Sequence, residues 1–236
     1  MPKATQTILE IDLDALGHNY RYILSQLQEG TQLMAVVKAF GYGSDAIAVA
    51  KELEQLGVPY FAVAYTQEGV QLRDAGIETP ILLLHPKEVN FETIITRCLE
   101  PCMYSKKTLQ AFIAFAEKQE QKTYPVHLKF NTGLNRLGFA KDDVQEVLSA
   151  VKASKAIKLR SVFSHLAASE DLEEKAFTLK QLNAFQEISE EIMAALPYTP
   201  FLHTLNTSGI LNYPEAHYDM VRCGIGLYGF ANDLQT

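Results

Sequence analysis

The chain has little that would tie it to a membrane, to nucleic acid or to an oxidising compartment. No apolar run approaches the roughly 20 residues that cross a bilayer. The opening Met1-Pro2-Lys3-Ala4-Thr5-Gln6-Thr7 has no apolar segment of the secretory kind. There are three cysteines, Cys98, Cys102 and Cys223, an odd and sparse set that suggests no disulfide framework. Cys98 and Cys102 lack a second ligand pair, which argues against zinc. Basic charge is short as well: 21 Lys and Arg stand against 28 Asp and Glu, for a net charge of −7 and a pI near 5.4. The basic residues are scattered, so neither nucleic acid nor an anionic membrane surface is an expected partner. Internal repeats and low-complexity tracts are missing too. Together these absences predict a protein of the reducing cytoplasm.

What remains is ordinary globular composition over 236 residues, 47% hydrophobic and 21% charged. That length suits one α/β barrel. Apolar, β-rich runs recur at Leu33–Val37, Tyr60–Tyr65, Ile81–His85, Leu99–Tyr104, Val126–Phe130, Leu159–His165, Phe201–Asn206 and Met220–Cys223. Helical periodicity fills the gaps, as in Ala46, Val49, Ala50, Leu53 and Leu56, or Leu179, Leu182, Phe185, Ile188 and Ile192. Stop signals such as Gly57-Val58-Pro59 and Ala75-Gly76 fall just before the next strand. Eight buried strands alternating with helices predict a single parallel (β/α)8 barrel spanning residues 1–236. Pro101 interrupts the fourth strand. Asp14 to Leu27 reads as a helix ahead of the barrel, capped by Asp12 or Asp14.

Barrel enzymes collect their chemistry at the C-terminal ends of the strands. Here those ends carry Lys38, His85, Lys129 with Arg136 in the loop beyond, His165, Asn206-Thr207-Ser208-Gly209 and Arg222-Cys223-Gly224-Ile225-Gly226. A purely structural barrel has no need of so many polar and cationic ends. The loops after strands seven and eight form the usual barrel phosphate site, and these offer hydroxyls, glycines and backbone N–H groups. A phosphate cradle, a lysine and an imidazole together suggest pyridoxal phosphate held as a Schiff base.

These residues also carry a family resemblance. Ala35-Val36-Val37-Lys38-Ala39-Phe40-Gly41-Tyr42-Gly43 resembles the cofactor-attachment motif of alanine racemases, V-K-A-N-A-Y-G-H-G. Lys129-Phe130-Asn131-Thr132-Gly133-Leu134-Asn135-Arg136-Leu137-Gly138 is similar to that family's K-x-D-T-G-M-x-R-L-G. His203 to Gly209 and Val221 to Gly229 give a third match, in the right order. The resemblance implies that Lys38 carries pyridoxal 5'-phosphate and acts as one of two bases. It implies that Tyr42 lies by the cofactor phosphate, that His165 stacks beside the ring and that Arg136 reaches the phenolic oxygen. Asn206, Thr207, Gly224 and Ile225 would hold the phosphate, the first through an intermediary, and Arg222 would face the pyridine nitrogen. Lys129 would be carbamylated, as in some members. The implied activity is interconversion of L- and D-alanine for peptidoglycan, by a homodimer.

Several positions depart from the pattern. Phe40, Gly41, Ser44 and Asp45 stand where the family commonly has Asn, Ala, His and Gly; Asn131 replaces Asp and Thr207 replaces Ser. The variants around Lys38 resemble the racemase part of ligase–racemase fusions. The family continues into a β-rich domain whose tyrosine is the second base, and none of the 11 tyrosines here matches it. The expectation is therefore a barrel with one base and weak or no activity alone. A non-catalytic barrel that binds pyridoxal phosphate is the competing reading, and a decarboxylase on the same barrel a third. His18, His85 and His127 match no required role and read as structural.

Overall fold

Aliphatic runs become strands here because both faces are covered, one by the barrel interior and one by helices. The computed structural model describes residues 7–230. Its strands are β1 (Gln32–Val36), β2 (Tyr60–Val63), β3 (Ile81–Leu83), β4 (Glu100–Met103), β5 (Tyr124–Lys129), β6 (Ile157–Phe163), β7 (Phe201–His203) and β8 (Met220–Cys223). They form one parallel sheet in the order β7-β6-β5-β4-β3-β2-β1-β8. The β7–β8 seam is drawn together by the Arg222 N–H donating to the Leu205 carbonyl at 3.0 Å and the Leu202 N–H donating to the Asp219 carboxylate at 2.8 Å. The result is the (β/α)8 barrel that the alternation predicts.

The strands end earlier than the apolar runs suggest. β2, β3, β6 and β7 stop at Val63, Leu83, Phe163 and His203, short of Tyr65, His85, His165 and Asn206. Single main-chain bonds still run past these ends, as from the His85 N–H to the Ala64 carbonyl at 2.9 Å, but the regular ladder has stopped and the polar ends begin the loops. β1 and β5 are shifted one and two residues earlier at their starts, and β4 begins at Glu100, not Leu99. Pro101 is tolerated inside β4, whose register pairs are few: Leu82 with Glu100 and Leu83 with Pro101 on one side, Cys102 with His127 and Met103 with Leu128 on the other.

Helices cover the outside at Ala46–Gln55, Thr66–Asp74, Phe91–Thr96, Lys106–Lys118, Val144–Ala153, Lys175–Ala195 and Thr207–Asn212. Their periodic residues face inward as expected, Val49, Ala50 and Leu53 on one and Leu182, Phe185, Ile188 and Ile192 on another; Leu179 instead remains exposed. Gly57 and Gly76 end two helices at φ +83° and +91°, a conformation that favours glycine. The opening helix is Leu13–Ser25, and Asp12 rather than Asp14 caps it, accepting the Ala15 N–H at 2.9 Å. It packs on the short turn Ile225–Tyr228, where the Asn19 amide donates to the Leu227 carbonyl, and so covers the barrel after β8.

The barrel interior is divided. Met34, Val36, Ala62, Leu82 and Met220 make one part apolar. The polar part, Glu100, His127, Lys129, Ser161, His203 and Arg222, comes from β4 to β8 and is interleaved with Cys102, Phe163 and Met220 of the same strands. The polar part runs up to the site.

Candidate active site

The ten residues to which the resemblance gives a role line one cavity of about 310 Å³ at the C-terminal mouth of the barrel: Lys38, Tyr42, Lys129, Arg136, His165, Asn206, Thr207, Arg222, Gly224 and Ile225. Val36, Leu84, Phe163, Ser208 and His85 complete the wall. His85 therefore belongs to the site, although its sequence context marks it as structural. His127 does lie in the core, bonded to Ser161 and Glu100.

Lys38 opens a left-handed turn. Ala39, Phe40, Gly41 and Tyr42 all have φ between +53° and +64°, and the Gly41 N–H reaches the Val37 carbonyl at 3.1 Å. Non-glycine residues pay roughly 1–2 kcal/mol each for this conformation. The turn is held by Glu68, which accepts the Ala39 N–H at 2.7 Å and the Ala64 and Tyr65 N–H groups at 2.7 and 3.0 Å. It swings Tyr42 onto Gly224, where a Cβ would overlap the Tyr42 ring and hydroxyl. Tyr42 stands 5.5 Å from the Tyr228 ring, and the Lys38 Nζ lies 5.9 Å from the Tyr42 centroid.

Arg136 is carried by a loop that Asn131 shapes. The Asn131 Oδ1 accepts the Gly133 and Asn135 N–H groups at 3.1 and 2.9 Å, and its Nδ2 donates to the Asn135 Oδ1 at 2.8 Å. An aspartate oxygen could accept the same two N–H bonds, which explains why the Asn is accommodated. Gly138 closes the loop at φ +137°, where a Cβ would meet the Asn131 main chain at 2.5 Å.

At the other wall, the Thr207 Oγ1 accepts the Gly224 and Gly226 N–H groups at 3.4 and 3.2 Å, tying the loops after β7 and β8 together. Asn206 caps the following helix: its Oδ1 accepts the Gly209 N–H at 2.9 Å and the Ser169 hydroxyl at 2.7 Å. Asn206 thus lines the cavity while its Oδ1 is engaged by the turn and by Ser169.

Arg222 is only 5% exposed. Its Nη2 donates to the Ser164 and Thr204 carbonyls at 2.7 and 2.9 Å and lies 3.2 Å from the His165 Nδ1; its Nη1 donates to His203. Burial lowers its pKa to about 10, which leaves it charged at neutral pH. Burial, then Arg222 and Lys129, holds His165 well below its ordinary value, so the imidazole is neutral. Burial pushes Lys129 down to about 8, and Arg136, Arg222 and Lys38 add to the effect. Lys38 is lowered by burial and then by Arg136, with Glu68 opposing. His85 is lowered by burial and by Lys129, Arg136 and Lys38. Four cations thus face a cavity whose described wall contains no carboxylate. A surface of that kind suits a small dianion with an aromatic body.

Residues 11–232 match the family described as alanine racemase, N-terminal domain. The chain belongs to that family. Among the similar proteins, alanine racemase 2 of Oceanobacillus iheyensis is 37% identical over 227 residues, covering 94% of this chain and 56% of that protein. The solved alanine racemase of Clostridium difficile 630 superposes with a TM-score of 0.89 at 33% identity, over 97% of this chain and 60% of that one. An alanine racemase from Bartonella henselae, solved with covalently bound pyridoxal phosphate, superposes with a TM-score of 0.81 at 31% identity, over 93% and 62%. The chain spans about three fifths of the length of these relatives.

Within this barrel, the departures from the family pattern have local reasons. Gly41 adopts φ +64° beside Ser44, Tyr228 and the Ala46 main chain, where a Cβ would be crowded. Asp45 caps the helix Ala46–Gln55, accepting the Ile47 and Ala48 N–H groups at 3.0 Å. Phe40 points to solvent at 70% exposure. Glu68 is the functional neighbour that sequence reasoning missed; the available sign was an acidic residue in the first turn of the helix Thr66–Asp74.

Proposed function

We propose that this barrel holds pyridoxal 5'-phosphate on Lys38 and serves as the cofactor-bearing domain of a cytoplasmic alanine racemase that interconverts L- and D-alanine. The observation that carries the reading is the single cavity in which Lys38, Arg136, Arg222 and a hydroxyl–glycine wall converge without a carboxylate among its described lining residues. Tyr42, Thr207, Gly224 and Ile225 would hold the phosphate, with Asn206 fixing the turn behind them. Arg136 would meet the phenolic oxygen, His165 would lie against the ring, and Arg222 would face the ring nitrogen. When bound, the cofactor supplies an electron sink for negative charge at the substrate α-carbon.

The chain's own groups account for the rest. Lys38, lowered by burial and Arg136, is more readily neutral than a free lysine, so it can take the α-proton on one face and return it. Arg222 has no acceptor and stays charged, so it donates to a ring nitrogen without surrendering its proton. That restraint limits the charge drawn into the ring and favours return of the proton over amino transfer. A decarboxylase or an aminotransferase is better served by a carboxylate at that position. Lys129, near pKa 8, has the free amine that carbamylation needs, and the added negative charge would turn its repulsion from Arg136 into attraction. Racemisation also needs an acid–base group on the opposite face. We assign that group to the part of the racemase that this chain does not match, brought in across a homodimer.

The test is to incubate the purified chain with pyridoxal phosphate, record its visible spectrum and assay L-alanine by chiral detection. A visible band that disappears in Lys38→Ala is expected. No band in the wild type, or an unchanged band in the variant, sinks the assignment. Full turnover by this chain alone would overturn the assignment of the second base elsewhere.

A further inference from the structure

The polar part of the barrel interior contains a hydrogen-bonded chain that the proposed reaction leaves unused. The Arg222 Nη1 contacts the His203 Nδ1. The His203 Nε2 lies 2.9 Å from the Ser161 Oγ, which lies 2.6 Å from the His127 Nδ1. The His127 Nε2 lies 2.9 Å from a carboxylate oxygen of Glu100, and the same oxygen accepts the Tyr60 hydroxyl. His127, Ser161, His203 and Arg222 are all buried, and the Glu100 side chain is 13% exposed. Among the described residues, Arg222 has no carboxylate within ion-pair distance; its other donors go to main-chain oxygens and to His165. A buried guanidinium without a counter-ion is costly.

The two ends of this chain fix every proton between them. Arginine can only donate, so the His203 Nδ1 is bare and its single ring proton sits on Nε2. That proton goes to the Ser161 Oγ, which leaves the Ser161 hydroxyl to donate to the His127 Nδ1. His127 therefore carries its proton on Nε2 and presents it to Glu100, which, as a carboxylate, can only accept. The opposite polarity fails at Arg222.

We propose that Glu100 is the remote counter-ion and positioning residue of Arg222, acting through His127, Ser161 and His203. Buried hydrogen bonds in series polarise one another. The charge at the first residue of β4 thereby strengthens the His203 Nδ1 as an acceptor and fixes the guanidinium at the mouth of the barrel. The consequence for a ring nitrogen rests on the proposed cofactor reading; the relay itself does not.

Side-chain 15N–1H NMR of the chain without added cofactor tests the relay. Both His127 and His203 are expected to show a bare Nδ1 and a protonated Nε2; a proton on either Nδ1 overturns the proposal even if every variant fails to fold. Glu100→Gln keeps an acceptor for His127 but removes the charge. It is expected to move the His203 Nε2–H resonance upfield, and to leave it unmoved when Ser161→Ala has cut the chain. A His203 resonance indifferent to Glu100→Gln, or one that still responds after the cut, contradicts the relay. Loading with ring-15N pyridoxal phosphate separates the two readings. Glu100→Gln should shift the ring-nitrogen resonance, whereas a fixed resonance beside an intact histidine relay contradicts the placement of Arg222 at the ring and not the relay.

Discussion

Lys129, with its amine unmodified, shows how one buried charge sets a pH dependence. Its pKa falls from 10.5 to about 8 on folding. Between those values the unfolded chain keeps a proton that the folded chain has released, so stability rises with pH across that window. The penalty is full below about pH 8 and gone above 10.5. At roughly 1.4 kcal/mol per unit it amounts to about 3 kcal/mol. Lys129→Met should therefore raise Tm at pH 7 and lose that advantage near pH 10.5; calorimetry at the two pH values checks it, and an equal gain at both would contradict the account. Gly224→Ala acts instead through shape, because its Cβ would displace Tyr42. Pyridoxal phosphate affinity, read by absorbance titration, should fall roughly tenfold to a hundredfold. At this scale the sequence was highly legible, since Lys38, Arg136 and Arg222 stand inside spaced motifs. His85 and Glu68 were not, because their roles depend on which loops the barrel brings together.

Among the elements, the strands and helices follow from apolar period, and only their ends are displaced. The left-handed turn after Lys38 was not legible. Ala39, Phe40 and Tyr42 have no preference for positive φ, and the side-chain bond that anchors the first of them, Ala39, comes from Glu68, on the helix after β2. Such a turn persists only where its surroundings over-determine it. Glu68→Ala strands three N–H groups and should destabilise the protein by about 1–3 kcal/mol in urea denaturation, with a weaker hold on pyridoxal phosphate. An unchanged midpoint and an unchanged affinity would show that the turn holds itself. Gly41→Ala should behave alike, for its Cβ would lie 2.9 Å from the Ser44 Oγ and 3.2 Å from the Ala46 Cα.

For the whole molecule, barrel closure gathers groups separated by up to 189 positions, Val36 and Ile225, into one cavity. The alternation of strands and helices predicts that closure. It does not reveal the row of buried polar groups inside the barrel, because the inward residues of β4 to β8 are recognised only once register is known. The seam between β7 and β8 is the thinnest part of the wall. Asp219→Ala leaves the buried Leu202 N–H without its acceptor, so its amide should exchange with solvent faster, at a stability cost of about 1–3 kcal/mol. Protection at Leu202 equal to that of the wild type would place the closure elsewhere. Above all stands the claim that the mouth of this barrel is built to hold pyridoxal phosphate on Lys38. Borohydride reduction of the chain incubated with pyridoxal phosphate, followed by peptide mass mapping, tests it most directly. One stoichiometric pyridoxyl group on the peptide containing Lys38 is predicted; label spread over surface lysines, or concentrated on Lys129, would contradict it.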